Sequence, residues 1–320
     1  MPSISKWEAL PTEAINPNSL ALDTASIGDI VDLMVSEDRK VVAAVHREKE
    51  RIVAGAQMLT ESFRKGGRVI FVGAGTSGRL GVVEAAEMPP TFGVSTTRVR
   101  AIMAGGKDAV FTPKEGVEDD YEEGSRAVAR LRPQKRDVVI GISASGVTNF
   151  VRGALTRARK AGLRVIFVTC WPGSELQTFV DLIIAPAVGP EVLTGSTRLK
   201  AGTATKMVLN MLTTIAMVRS GKAYGNLMVD VQATNDKLKD RARRIIATAT
   251  GVDYDAAGKL LKSARNDVKA AIVMQRTGLS LSKALATLRG SHDSVREAVG
   301  EDAEPRLRAL LGLDKKAPVP

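Results

Sequence analysis

Residues 73–93, GAGTSGRLGVVEAAEMPPTFG, set a glycine-rich, hydroxyl-bearing loop directly ahead of two glutamates. Following the apolar run RVIFV, such a loop can present backbone N–H groups, hydroxyls and a helix N-terminus to an anion. Its first six residues spell the G-x-G-x-x-G of a dinucleotide site, whose second half is an acidic residue about 20 positions on that binds the ribose. Met88 through Lys107 contain no Asp or Glu. Arg98 and Arg100, as readers of a 2′-phosphate, fall within or before the next apolar run rather than after it. A nucleotide P-loop fails as well, because Arg79 and Leu80 stand where Lys and Ser/Thr are required.

The pattern recurs at 141–146, where GISASG matches GAGTSG as G-x-[GS]-x-S-G. Two Ser-Gly turns, each after a strand and opening a helix, suit one compact phosphate dianion. Gly75, Thr76, Ser77 and Gly78 in the first turn, with Ser143, Ser145 and Gly146 in the second, are the candidate phosphate-binding residues. The hydroxyls of Ser77, Ser143 and Ser145 are the expected donors. Either turn alone could be no more than helix capping; the repetition favours a ligand.

Carboxylates flank the first loop. Glu84 and Glu87 lie i,i+3 on one face of a short helix that Pro89 and Pro90 are expected to terminate. Ala86, Met88 and Pro89 give Glu87 an apolar setting of the kind that keeps a carboxyl protonated. A second acidic cluster, EGVEDDYEEG at 115–124, is expected to begin a helix, mostly as a solvated face with one member free to point into the site.

The elements that must position these residues follow from periodicity. Five apolar runs, at 68–73, 98–104, 137–142, 163–169 and 181–185, alternate with helical patterns beginning near Ser77, Gly116 and Thr148, and only a short helix fits between the last two. Val- and Ile-rich strands with few polar breaks predict a five-stranded parallel sheet covered on both faces, an α/β doubly wound fold with ligands at the carboxyl ends of the strands. Before it, residues 1–25 read as an extended arm, and 27–65 as two helices broken near Ser36, Glu37 and Asp38. After it, a mostly buried helix from about Ser196 to Ser220 has an apolar surface wide enough to meet both the sheet and a partner subunit. Its lead-in, GSTRLKAGT, offers Ser196, Thr197 and Lys200 as substrate contacts. Beyond Thr250, three short helices predict a small C-terminal helical domain. The domain boundaries are thus 1–65, 66–225, 226–313 and a flexible tail at 314–320.

At 320 residues and 44% hydrophobic, the chain can bury a sizeable core. No apolar run reaches the roughly 18 residues of a membrane span and the N-terminus lacks a signal-peptide pattern, so a cytoplasmic location and no membrane partner are expected. One cysteine and two histidines exclude a disulfide and leave too few soft ligands for a zinc site. Cys170, His46 and His292 read as structural or surface residues. A net charge of +11 raises a nucleic-acid partner, yet no zinc-finger, RRM or KH signature is present and KLKDRARR at 237–244 reads as a solvated helix face. A positive field serves equally to attract a small anion.

GAGTSGRLGVVEAAEMPPTFG, VGPEVLTGSTRLKAGTATKMVLNML and GKAYGNLMVDVQATNDKL resemble the N-acetylmuramic acid 6-phosphate etherases, enzymes built on a sugar isomerase (SIS) domain. The resemblance runs from Thr12, Glu13, Asn16, Pro17, Leu22 and Asp23 in the arm to the C-terminal helices, which it implies are UBA-like. The glucokinase regulatory protein shares the SIS architecture but carries a duplicated module for which this chain has no room. What the resemblance implies is a homodimeric lyase that needs no metal or organic cofactor and releases D-lactate from its substrate. By motif, Glu87 matches the general acid and Glu118 in EGVEDD the base. Val147 departs from the family, where a polar or basic residue is common, as does Met88, commonly cysteine. A SIS-type phosphosugar isomerase and a phosphosugar-sensing regulator are the alternatives; retention of both glutamates argues against the regulator.

Overall fold

A computed structural model describes residues 10–233 and 235–313; the start of the arm and the 314–320 tail lie outside the described residues. Contacts divide the chain into two units, one comprising the residues up to Ala86 with Thr96–Ala216, the other Glu87–Ser95 with the residues from Met217 on.

The first unit opens with turns over 10–25 rather than an extended arm, because Asn16 is drawn into the protein and buried. Helix α1, Ile27–Arg47, starts where the Ser26 hydroxyl accepts the Asp29 N–H. It runs without a break through Glu37 and ends at Glu48, which separates it from α2, Lys49–Arg64. The break expected near Ser36, Glu37 and Asp38 thus falls about ten residues later, at Glu48. The spacing of Leu33, Met34, Glu37, Val41 and Val45 puts the Glu37 carboxylate on the inward face.

Strands β1 (Val69–Gly73), β2 (Val99–Met103), β3 (Val138–Ile142), β4 (Arg164–Val168) and β5 (Leu182–Ile184) form one parallel sheet in the order β2-β1-β3-β4-β5. This is the doubly wound fold expected. β1 and β3 are buried on both faces, which is why they read as unbroken apolar runs. Helices α3 (Gly75–Phe92), α4 (Tyr121–Arg130) and α5 (Asn149–Lys160) make the crossovers, a single 3-10 turn spans Glu175–Thr178, and α6 (Lys200–Arg219) follows β5. Strand order reverses direction between β1 and β3, and in doubly wound sheets the crevice that takes ligands lies outside the carboxyl ends of the strands at such a switch point. The two Ser-Gly turns leave those two strands.

Pro89 and Pro90 do not terminate α3; both lie inside it. They occupy its last turn, where each forgoes the N–H bond to the carbonyl four residues back, and the helix stops at Gly93, whose φ of +63° takes it into the left-handed region. Helix α4 begins five residues later than sequence suggested, because Gly116 sits at φ +73° and Asp120 caps Glu123 N–H at 2.7 Å.

In the second unit, α7 (Asp236–Thr250), α8 (Tyr254–Ser263), α9 (Val268–Thr277), α10 (Leu281–Gly290), α11 (Val295–Val299) and α12 (Glu304–Leu310) surround a core that includes Ile246, Ile272, Val273, Leu288 and Val295. The GKAYGNLMVDVQ segment is fastened to it by charge. The Lys269 ammonium meets Asp230 Oδ2 at 2.5 Å and Asp293 Oδ2 at 2.7 Å, and Lys222 reaches Asp293 at 3.0 Å. Helices α11 and α12 were too short to register as periodic sequence patterns.

Candidate active site

In GAGTSG, Gly73 ends β1 and residues 75–78 already form the first turn of α3, with only Ala74 between them. Gly73 and Gly78 face each other so closely that a Cβ on Gly73 would stand 2.7 Å from Gly78 N, and one on Gly78 would stand 2.7 Å from Gly73 O. That closure, not a pyrophosphate, accounts for the spacing of these two glycines. The first backbone bond of the helix runs from Gly78 N to Ala74 O at 3.1 Å, leaving the N–H groups of Gly75, Thr76 and Ser77 directed off the helix end. No acidic side chain lies in this first turn. Among the described residues the Thr76 and Ser77 hydroxyls are unbonded, while Arg79 is spent on the carbonyls of Ala109 and Val110. α3 therefore begins with its N-terminal donors uncapped.

GISASG differs in construction from its twin. In the sheet Gly73 pairs with Ile142, so the matching letters are offset by one residue, and α5 starts only at Asn149. Ser143 is buried, with its hydroxyl 2.7 Å from that of Thr148 and accepting the Gly146 N–H at 3.2 Å. It shapes the turn, so the hydroxyl expected to meet a ligand is already bonded within the protein. Ser145 is partly exposed. Gly146, at φ +78°, packs where a Cβ would lie 2.9 Å from the Ser174 side chain, and no other residue fits there.

Neighbouring chain ends converge on these turns. Cys170 N–H donates to the Ala144 carbonyl at 3.0 Å, and its thiol donates to Ala201 O at 3.8 Å. Burial, and then the Glu191 charge, push that thiol up to about 12. A methyl on Gly202 of α6 would sit 3.7 Å from Thr76 and 3.6 Å from the Thr197 carbonyl. The lead-in to α6 thus lies beside the first turn of α3, with Ser196 and Thr197 partly exposed.

Lys200 does not point to that opening. Its ammonium is 2% exposed and meets Glu37 Oε2, also 2% exposed, at 2.5 Å. Glu37 further accepts from Asn16 at 3.1 Å, Asn18 at 2.9 Å and Lys40. Burial alone would raise this carboxyl; the bonds from Lys200, Lys40, Asn18 and Asn16 outweigh it and bring it to about 2. The expected phosphate contact at Lys200 is therefore a buried tie between arm, α1 and α6. Nor is the N-terminus of α6 open, because the buried Glu191 carboxylate accepts the N–H groups of Lys200 and Ala201, each at 2.9 Å. Burial raises the Glu191 carboxyl, opposed by those two bonds. Sequence missed both glutamates. Glu37 was legible from its place on the inward face of α1, but Glu191 lies nine positions ahead of the helix it caps, beyond any local signal.

Glu118 lies partly exposed in the turn before α4, not inside the helix. Its carbonyl accepts the Phe150 N–H of α5 at 2.9 Å, which fixes it to the helix that follows GISASG. The anchor depends on close helix contact: a Cβ on Gly153 would stand 1.9 Å from Tyr121 O, and one on Gly124 2.0 Å from Phe150 O. The two glutamates of α3 part company. Glu84 is buried, 2.5 Å from the Thr213 hydroxyl that donates to it and 3.3 Å from Lys206 Nζ. Glu87 is exposed while Met88 is buried. At 3.6 residues per turn its apolar neighbours in sequence do not enclose it. Among the described residues no group of three or more His, Cys, Asp or Glu side chains could hold a metal ion, and no helix there is long and apolar enough to cross a membrane.

Comparison with known proteins agrees with this architecture. Residues 51–159 match the family model of the glucokinase regulatory protein N-terminal SIS domain, and residues 118–215 match that of the SIS domain. Among solved structures, a phosphoheptose isomerase GmhA from Neisseria gonorrhoeae is similar at a TM-score of 0.46 and 20% identity, covering 59% of this chain and 99% of that one. The chain is 48% identical to an N-acetylmuramic acid 6-phosphate etherase of Salinibacter ruber over 92% of its length and 94% of the relative's. It is 47% identical to that of Rubrobacter xylanophilus, covering 92% and 98%, and 46% identical to N-acetylmuramic acid 6-phosphate etherase 2 of Vibrio cholerae, covering 94% and 98%. On this identity, sustained along nearly the whole of both partners, the chain belongs to the N-acetylmuramic acid 6-phosphate etherase family.

Proposed function

We propose that this protein is a carbon–oxygen lyase that cleaves the D-lactyl ether of N-acetylmuramate 6-phosphate, giving N-acetylglucosamine 6-phosphate and D-lactate. The observation that carries the reading is the uncapped first turn of α3 beside GISASG at the β1/β3 crevice. The N–H groups of Gly75, Thr76 and Ser77, the hydroxyls of Thr76, Ser77 and Ser145, and Ser196 and Thr197 would hold the phosphate and sugar, with Gly78 closing the turn against Gly73. Ser143, Gly146 and Lys200 would support them from behind.

In the open-chain aldehyde the carbonyl acidifies the C2 proton. Glu118 takes that proton, the C3–O bond breaks, and Glu87 protonates the departing lactyl oxygen. Water then adds at C3 of the unsaturated aldehyde while a proton returns to C2, so the overall change is consumption of one water. No metal or organic cofactor enters this scheme. Residues 66–225 would form the phosphosugar-binding domain and 226–313 a UBA-like helical domain, in a cytoplasmic homodimer serving cell-wall recycling.

Incubation with N-acetylmuramate 6-phosphate in oxygen-18 water tests the proposal. D-lactate should be released and the label should appear at sugar C3. Absence of lactate would sink the etherase reading, and lactate without label at C3 would refute elimination and hydration.

A further inference from the structure

The turn after β4, Trp171–Ser174, takes no part in the chemistry above, yet it is bolted to GISASG. Thr169 Oγ1 donates to the Ala144 carbonyl at 3.2 Å and accepts the Trp171 N–H at 3.2 Å. Ser174 Oγ, fully buried, donates to the Gly146 carbonyl at 2.8 Å, and Ser174 N–H closes the turn on Trp171 O at 3.2 Å. The turn therefore moves with the second Ser-Gly loop as one body.

Trp171 is partly exposed on this rigid base, at the carboxyl end of a strand adjacent to β3. A Cβ on Gly173 would stand 2.8 Å from Trp171 Nε1, so the bare glycine backbone seats the indole and limits its rotamers. Among the described residues the indole N–H has no hydrogen-bond partner. A large aromatic left half-open at a strand's carboxyl end, with an unspent donor, has the form of a recognition surface.

We infer that Trp171 is a substrate-contacting residue, its indole forming a wall against which the carbon face of the bound sugar packs. Sugar C–H faces are apolar and sugar hydroxyls accept from an indole N–H, so one side chain serves both. Its role would be affinity and discrimination between sugar phosphates and bare phosphate, with the proton transfers left to other groups. The inference rests on the reading of the crevice as a phosphosugar site.

The test uses intrinsic fluorescence in a W7F background, which leaves Trp171 as the sole tryptophan. Titration with N-acetylglucosamine 6-phosphate should shift or quench the emission, and inorganic phosphate should not. W171A should raise KM about tenfold with kcat little changed, and W171F should recover most of the loss. Calorimetry run in parallel separates the failures. Heat of binding without any change in emission overturns the role of Trp171, whereas no binding at all overturns the phosphosugar reading itself. Equal loss of kcat and KM effects in W171A and W171F would also refute a packing wall.

Discussion

A carboxyl group serves as base only while ionised and as acid only while protonated, so the two proposed glutamates should fail differently when made neutral. E118Q should abolish exchange of the C2 proton with solvent, followed by NMR in deuterium oxide, and lower turnover by roughly 10²- to 10⁴-fold. E87Q should slow lactate release by a similar factor while leaving C2 exchange much nearer the wild-type rate. Exchange at the wild-type rate in E118Q removes Glu118 from the base role; parallel loss of both steps in E87Q removes Glu87 as a dedicated acid. The types and motif positions of these residues were readable from sequence. Their surroundings were not, because exposure depends on which way a helix turns: Glu84 and Glu87 differ by three positions, yet one is buried and the other is open.

At the scale of elements, Glu118 is held by the packing of α4 on α5, and that packing tolerates no side chain at Gly153. The methyl of G153A would collide with a backbone carbonyl at 1.9 Å, which cannot rotate aside, so α4 must shift. Overpacking of this kind costs about 1–3 kcal/mol. The variant should unfold at lower urea and turn over more slowly, whereas G290A, where a Cβ meets nothing within 4 Å, should change neither. Full stability and full activity in G153A would show that this contact does not position Glu118. The strands were legible as short runs rich in Val and Ile, unbroken in β1 and β3 where both faces are buried. The start of α4, the end of α3 and the break after α1 were misplaced for one shared reason: each is set by a tertiary partner or a left-handed glycine rather than by the local run of residues.

For the molecule as a whole, the Glu37 cluster ties arm, first helix and α6 together through a single carboxylate. Its folded value of about 2 lies below the ordinary 4.5. The stabilisation is therefore complete above pH 4.5 and is lost as pH falls from there through about 2. Across that window the linkage amounts to about 3 kcal/mol. Urea midpoints measured at pH 6, 4 and 3 should fall more steeply for wild type than for E37Q; matching slopes would show that Glu37 does not carry this acid sensitivity. Burial of Cys170 has a consequence of another kind. The chain's single thiol, held near 12 beneath the strand ends, stays protonated and shielded from alkylating reagents at neutral pH. A cysteine placed at an exposed position would therefore be the one group open to a fluorophore or spin label, without first removing the natural one.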